Sequence, residues 1–217
     1  MKVIITGATG MVGEGVLLEC LANPDIDKVL MVNRRHYAHM DPKLEELIVP
    51  DLTDLTRVVG QLAGYDACFF CAGVSSVGMK EPEYTRVTYD LTISFAKIVA
   101  GLNPGMTFTY VSGAMTDSTE KGRSMWARVK GRTENDLMKL PFRQVYNFRP
   151  GFMTAVKGQK NIKGIYRIIP VLTPLFKILM PGQILTLNQV GRAMINSVSG
   201  GYEKNVLEII DIRKLAK

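Results

Sequence analysis

Apolar runs of strand length alternate with segments of helical period along the first two-thirds of the chain. Lys2–Thr6, Lys28–Val32, Leu47–Val49, Ala67–Cys71, Thr107–Val111 and Gln144–Phe148 are runs rich in β-branched and aromatic residues. Between them, Met11–Leu21, Leu55–Leu62, Glu83–Leu102 and Ser124–Lys139 place apolar residues at helical spacing. Strands separated by helices need right-handed crossovers, and these build a parallel sheet. Strands that lack a polar face fit a sheet covered on both sides. Turn signals fall between the elements, at Asn23-Pro24-Asp25, Asn103-Pro104-Gly105 and Pro141. The pattern predicts an α/β protein with a doubly wound parallel sheet.

The pattern changes after Arg149-Pro150-Gly151. Residues 152–185 mix basic with apolar residues and carry Pro170, Pro174 and Pro181. A helical period returns at Asn188–Val198, followed by a short strand, Val206–Ile209, and a last helical turn. The 217 residues are expected to form one domain, 1–217, with a small substrate-side cap at about 152–203. Lys163, Arg167 and Lys177 lie among the apolar residues of Ile162–Met180, a composition that can rest on anionic lipid. Prolines break any long helix there, which favours a substrate lid over a membrane-surface segment.

Composition narrows the picture. At 47% hydrophobic and 22% charged, the chain has enough apolar residues for a sizeable core. No apolar run reaches the roughly 18 residues of a membrane span. Met1-Lys2-Val3-Ile4-Ile5 leads straight into a glycine turn without a signal-peptide pattern, so a cytoplasmic protein is expected. Twenty-seven Lys and Arg against 20 Asp and Glu give a formal charge of +7. These cations are spread along the chain and no nucleic-acid motif accompanies them. A phosphate-bearing small ligand is the economical partner, and many of the charges are simply a solvated surface. Cys68 and Cys71 form C-x-x-C, but on a strand they point to opposite faces and cannot share a metal. His36 and His39 have no cysteine partner in their loop, and no metal is expected.

The chemistry concentrates at the first strand end. Thr6-Gly7-Ala8-Thr9-Gly10-Met11-Val12-Gly13 links a strand to a helix. Gly7 permits a sharp turn, Gly10 leaves room for a pyrophosphate, and Gly13 lets the helix pack closely. Free N–H groups at the helix start then face the phosphates. Roughly 20 residues further on, an NAD-binding protein usually offers a carboxylate to the ribose hydroxyls. Here that place holds Asn33, Arg34 and Arg35. Two guanidiniums can pair with a 2′-phosphate, so NADP(H) is favoured over NAD(H).

These residues, with Asp51-Leu52, Cys71-Ala72-Gly73, Val111-Ser112-Gly113, Lys130 and Arg149-Pro150-Gly151, give the chain a resemblance to a known family. It resembles the atypical short-chain dehydrogenase/reductase family. Within it, the similarity is to Tat-interacting-protein-like oxidoreductases and bacterial relatives labelled nucleoside-diphosphate-sugar epimerases. The resemblance implies a Rossmann fold binding its cofactor through Gly7, Thr9, Gly10, Met11, Val12, Gly13, Asn33, Arg34, Arg35, Asp51, Leu52, Cys71, Ala72, Gly73, Lys130, Pro150 and Gly151. It gives Asp51 to the adenine amino group, although Asp51 equally suits the cap of a helix starting near Leu55. Pro150-Gly151 would bring backbone groups to the nicotinamide amide.

The family's catalytic set is a serine with Tyr-x-x-x-Lys on one helix. This sequence has Ser112 and Lys130, but Trp126 stands four residues before the lysine. Indole N–H donates without exchanging its proton near neutral pH. Trp126 can polarise a carbonyl or stack on a ring, but it cannot act as a general acid. Tyr84 and Tyr89, on the helix after the fourth strand, are the plausible substitutes. The polar segment 118–124 carries Lys121 and Arg123, suited to an anionic substrate or to a solvated loop. Two functions follow: an oxidoreductase on a small carbonyl or sugar nucleotide, or an NADP(H) sensor that has lost turnover. The sequence leaves monomer and homodimer open.

Overall fold

The computed structural model describes residues 1–161 and 182–217. The predicted segment 162–180 and Pro170, Pro174 and Pro181 lie outside them. Seven parallel strands form the main sheet: β1 (Lys2–Thr6), β2 (Lys28–Asn33), β3 (Leu44–Ile48), β4 (Ala67–Phe70), β5 (Thr107–Val111), β6 (Gln144–Phe148) and β9 (Val206–Leu207). Their order is β3-β2-β1-β4-β5-β6-β9, so the winding reverses between β1 and β4. A crevice at that reversal, beyond the carboxyl strand ends, is where such sheets take ligands. This is the predicted α/β Rossmann-type fold.

Each face of the sheet has its own core. Val3, Ile5 and Phe69 pack with Val16 and Leu17 of α1 (Met11–Ala22), and with Val190 and Met194 of α5 (Leu187–Ser199). On the other face, Ile4, Phe70 and Phe108 pack with Phe95 and Val99 of α3 (Leu91–Leu102), and with Leu137 of α4 (Met125–Leu137). Strand side chains therefore alternate between two buried layers, which explains their lack of a polar face. Helix α1 stops at Asn23 because Pro24 cannot continue it. Helices α1 and α5 cross closely. A Cβ on Gly15 would meet Leu187 at 2.5 Å, and one on Gly191 would meet Glu19 at 2.7 Å.

The structure differs from the predicted elements in several places, and the predicted strand Val206–Ile209 is only Val206–Leu207. β3 begins at Leu44, ahead of the predicted Leu47. The predicted helix Leu55–Leu62 is absent apart from a 3₁₀ turn at Val59–Leu62. Asp51 accepts from Thr53 N and Oγ1, and Asp54 accepts likewise from Thr56, so local side-chain bonds replace the first helical turns. Leu52, Leu55 and Leu62 are buried all the same, and this produced the helical spacing. The predicted helix Glu83–Leu102 consists of α2 (Glu81–Thr85), a π-helical turn (Arg86–Asp90) and α3.

Beyond β6, β7 (Phe152–Thr154) pairs with β8 (Ile184–Thr186) as a separate two-stranded sheet. Thr186 and Gln189 form a capping box that starts α5. Because α5 packs on α1 in the main core, part of the predicted cap region 152–203 belongs to the body of the fold. α6 (Ile209–Leu215) ends the chain.

Candidate functional site

The glycine turn folds back on the switch crevice. Gly7 has φ +73°, and a Cβ there would lie 2.6 Å from Ala72 N. A Cβ on Gly13 would lie 2.3 Å from Gly7 O, so only glycine lets α1 start this close to the turn. Gly10 differs: its Cβ would touch only Gly7 O, at 3.3 Å, and would otherwise project into open space. Gly10 is also the N-cap of α1 and has no side chain to satisfy the first helical N–H groups of Met11, Val12 and Gly13. An uncapped helix start with open space before it suits an anion.

A cavity of about 630 Å³ opens there. Gly7, Thr9, Gly10, Asn33, Arg34, Arg35, Leu52, Cys71, Ala72 and Gly73 line it, so ten predicted binding residues meet at one place. Asp51 is not among the lining residues. Its carboxylate is held by Thr53, whose N–H and hydroxyl push its pKa down. Cys71 has its thiol pushed up to about 12 by burial, which keeps it protonated and unreactive. Arg34 and Arg35 are exposed and have no ion-pair partner among the described residues. Asn33 is only 3% exposed, yet neither polar atom of its amide has a hydrogen-bond partner. An orphaned buried amide costs about 1–3 kcal/mol, and a ligand in the adjoining cavity can relieve that cost. Orphaned amide, open Gly10 and unpaired guanidiniums together fit the adenosine and phosphate portion of a dinucleotide.

Several lining residues escaped the sequence reading. The π-helical turn and the start of α3 bring Val87 and Leu91 to the cavity wall, and Lys160 and Asn161 reach it from beyond β7. His36, Tyr37 and Ala38 extend the wall after β2. Their position directly after Arg35 was the only available signal.

The predicted catalytic residues cluster separately, at the carboxyl end of β5 and on α4. Lys130 Nζ donates to the backbone carbonyl of Ser112. Burial lowers the Lys130 pKa to about 8, partly offset by the carboxylate of Glu134 one turn along α4. The hydroxyl of Ser112, the serine of the family's catalytic set, donates to Glu134 Oε1 at 2.5 Å, with Phe148 O 3.1 Å away. Trp126 is half-buried, and its indole N–H has no partner among the described residues. The substitute tyrosines are otherwise engaged. Tyr84 is 1% exposed, and Tyr89 donates to Asp136 at 2.6 Å beneath Arg132. Pro150 accepts from Ala114 N at 2.9 Å. A Cβ on Gly151 would meet Ile209 at 2.7 Å and Gln183 O at 2.8 Å, which gives this glycine a packing reason as well. Asp117 pins the polar segment 118–124 through Thr119 and Gly122, leaving Lys121 and Arg123 exposed. No group of three or more metal-binding side chains occurs among the described residues, and no helix there is long and apolar enough to cross a membrane.

Comparison with known proteins identifies the family and the fold. The family model "NAD dependent epimerase/dehydratase family" matches residues 3–115, from β1 to just beyond β5. Leucinostatins biosynthesis cluster protein T of Purpureocillium lilacinum is 32% identical over 64% of this chain, which spans about half of that protein's length (52%). Protein HTATIP2 of Rattus norvegicus is 25% identical across 100% of this chain and 89% of its own. Protein fmp52, mitochondrial, of Emericella nidulans is 26% identical over 74% of this chain and 70% of its own. Among solved structures, MoeE5 in complex with UDP-glucose and NAD superposes with a TM-score of 0.70 at 19% identity, covering 96% of this chain and 75% of that one.

Proposed function

Because the chain belongs to the NAD dependent epimerase/dehydratase family, we propose that it binds NADP(H) at the carboxyl edge of β1, β2 and β4 as an oxidoreductase. Its substrate on this proposal is a small carbonyl compound or a sugar nucleotide. The observation that carries the cofactor choice is the pair of unpartnered guanidiniums, Arg34 and Arg35, beside the orphaned Asn33 on one cavity wall. A 2′-phosphate would satisfy both cations, and no carboxylate follows β2 directly to repel it. Gly10 and the N–H groups of Met11 and Val12 would receive the pyrophosphate, while Leu52 and Ala72 flank the adenine side.

The nicotinamide, when bound, supplies or accepts a hydride. On this proposal Lys130, as the family resemblance implies, would hold the nicotinamide ribose. It would also take over the proton exchange of the missing tyrosine, since burial lowers its pKa to about 8. Ser112 acts through others: its carbonyl holds Lys130 and its hydroxyl fixes Glu134. Trp126 offers an aromatic wall and one N–H to the substrate. Fluorescence titration with NADPH and NADH, followed by turnover assays on aldehydes, ketones and nucleotide sugars, tests the proposal. Tight NADPH binding with consumption of one substrate is expected.

One observation favours a second function. Tyr84, Tyr89 and the Ser112 hydroxyl are all buried or committed to other groups, so the usual proton relay lacks two of its members. Tight NADPH binding without turnover on any compound would mark the chain as a nucleotide sensor. We place the protein in the cytoplasm. The FMP52 relatives carry "mitochondrial" in their names, and fractionation distinguishes the two compartments.

A further inference from the structure

A carboxylate lies completely buried one turn into α1, away from the catalytic residues. Glu14 is 0% exposed, and its oxygens are taken up by groups distant in sequence. Oε1 accepts from the Tyr37 hydroxyl at 2.8 Å and from the backbone N–H of Lys160 at 2.9 Å. Oε2 accepts from the backbone N–H of Asn161 at 2.7 Å. Next to it, Gln159 Nε2 donates to Met11 O at 2.7 Å, and Gln159 Oε1 accepts from Val156 N at 2.8 Å. Residues 156–161, which leave β7 on the substrate side, are thus folded back over the start of α1.

The fold-back delivers a cation. Lys160 Nζ sits 3.4 Å from Ala38 O, a long contact on an exposed side chain, and Lys160 lines the same cavity as Arg34 and Arg35. The neighbouring acids are already engaged. Glu46 pairs with His36 and accepts from Tyr37 N, and Glu14 is enclosed by its three donors. Three cations therefore line one cavity, two from the loop after β2 and one from the segment after β7.

We propose that Lys160 is a third phosphate-binding cation that sets the preference for NADP(H), and that Glu14 positions it by tying residues 156–161 across the cleft. This rests on the NADP(H) assignment made above. Exchange of the weak Ala38 contact for a 2′-phosphate oxygen would trade a neutral acceptor for a charged one. Glu14 would then link nucleotide binding to the placement of the substrate-side segment.

The test is calorimetric titration of the full chain with NADP⁺, NAD⁺ and 2′,5′-ADP, for the wild type, Lys160→Met, Lys160→Arg and Glu14→Gln. Lys160→Met should weaken NADP⁺ and 2′,5′-ADP roughly tenfold and leave NAD⁺ within about twofold, since one charge-assisted contact is lost. Lys160→Arg should restore most of the loss. Glu14→Gln keeps the shape of the side chain but opposes an amide N–H to a backbone N–H. It should weaken NADP⁺ comparably and abolish NADP⁺ protection against tryptic cleavage at Lys157 and Lys160. A wild type that prefers NADP⁺, with a Lys160→Met variant that keeps the whole preference, overturns this inference alone. A wild type that binds NADP⁺ and NAD⁺ equally removes the cofactor assignment and this inference with it.

Discussion

Arg149 grips Glu134 with two prongs: Nε lies 3.0 Å from Oε1, and Nη2 lies 2.5 Å from Oε2. Glu134 is fully buried on α4, while Arg149 closes β6 and also reaches Glu208 and Ser118. The pair joins the helix that carries Lys130 to the strand end that carries Pro150. Ser112 supplies Glu134 with a further hydrogen bond, so the region around Ser112 and Lys130 stands on one buried ionic network.

Removal of one partner should therefore destabilise the whole protein. Glu134→Leu leaves the Arg149 guanidinium without its main counter-charge and should cost about 3–5 kcal/mol. Chemical denaturation measures the loss. A cost below about 1 kcal/mol would mean that water or Glu208 fully replaces Glu134.

Lys130 should leave a signature in the pH dependence of stability. Its pKa is about 8 in the folded chain against the usual 10.5, so between these values the unfolded state binds more protons. Its contribution to stability therefore rises with pH across that window. The buried thiols of Cys20, Cys68 and Cys71 have raised pKa values and act in the opposite direction above their ordinary value of 9.0, so the comparison must be with Lys130→Met. Denaturation at pH 7.5, 9 and 10 should show the wild type gaining on that variant as pH rises. Parallel curves would place the Lys130 ammonium in solvent.

Gly10→Val should abolish dinucleotide binding and leave the fold intact. Its Cβ would meet only one backbone oxygen, whereas the rest of the side chain would enter the cavity. Circular dichroism together with NADPH titration checks both halves. Native affinity in the variant would show that the cavity is not the pyrophosphate site.

Arg34→Ala with Arg35→Ala should remove most of the preference for NADP(H). Each charge-assisted contact contributes about 1.5–3 kcal/mol. NAD(H) affinity should change little. An unchanged ratio of the two affinities would count against these guanidiniums as the phosphate partners.

Trp126→Tyr should create or strongly raise carbonyl reduction, because general acid catalysis contributes roughly 10²–10⁴ in rate. Lys130→Met in that background should remove the gain. If Trp126 instead stacks on the native substrate, the substitution will lower native activity, and steady-state rates on a panel of aldehydes and ketones separate the two outcomes.

β1, β2, β4, β5 and β6 were legible because each lies between two buried layers, which imposes an uninterrupted apolar run, whereas the start of the edge strand β3 was hidden by Glu45 and Glu46. The glycine turn was legible for a related reason: Gly7 and Gly13 tolerate no side chain, and Gly10 faces open space. Leu52, Leu55 and Leu62 misled because burial alone reproduces helical spacing, whereas Asp51 and Asp54 divert the backbone into turns. Glu134 was within reach, since it sits one helical turn beyond Lys130, on the same face of α4. The union of Glu14 with Lys160 was not. Its hydrogen bonds run to backbone N–H groups 146 and 147 residues away, and these leave no trace in residue type.

The ends of the main sheet bear on how copies of this chain can meet. One edge, β3, is a short strand bearing Glu45 and Glu46, with Glu45 paired to Lys28 of its neighbour. The opposite edge, β9, offers two residues. Short or charged borders are poor templates for another strand, so continuous sheets shared between subunits are disfavoured. Contacts between copies would then fall on surfaces other than these two borders, and the crevice between β1 and β4 would lie within one sheet rather than across a shared one.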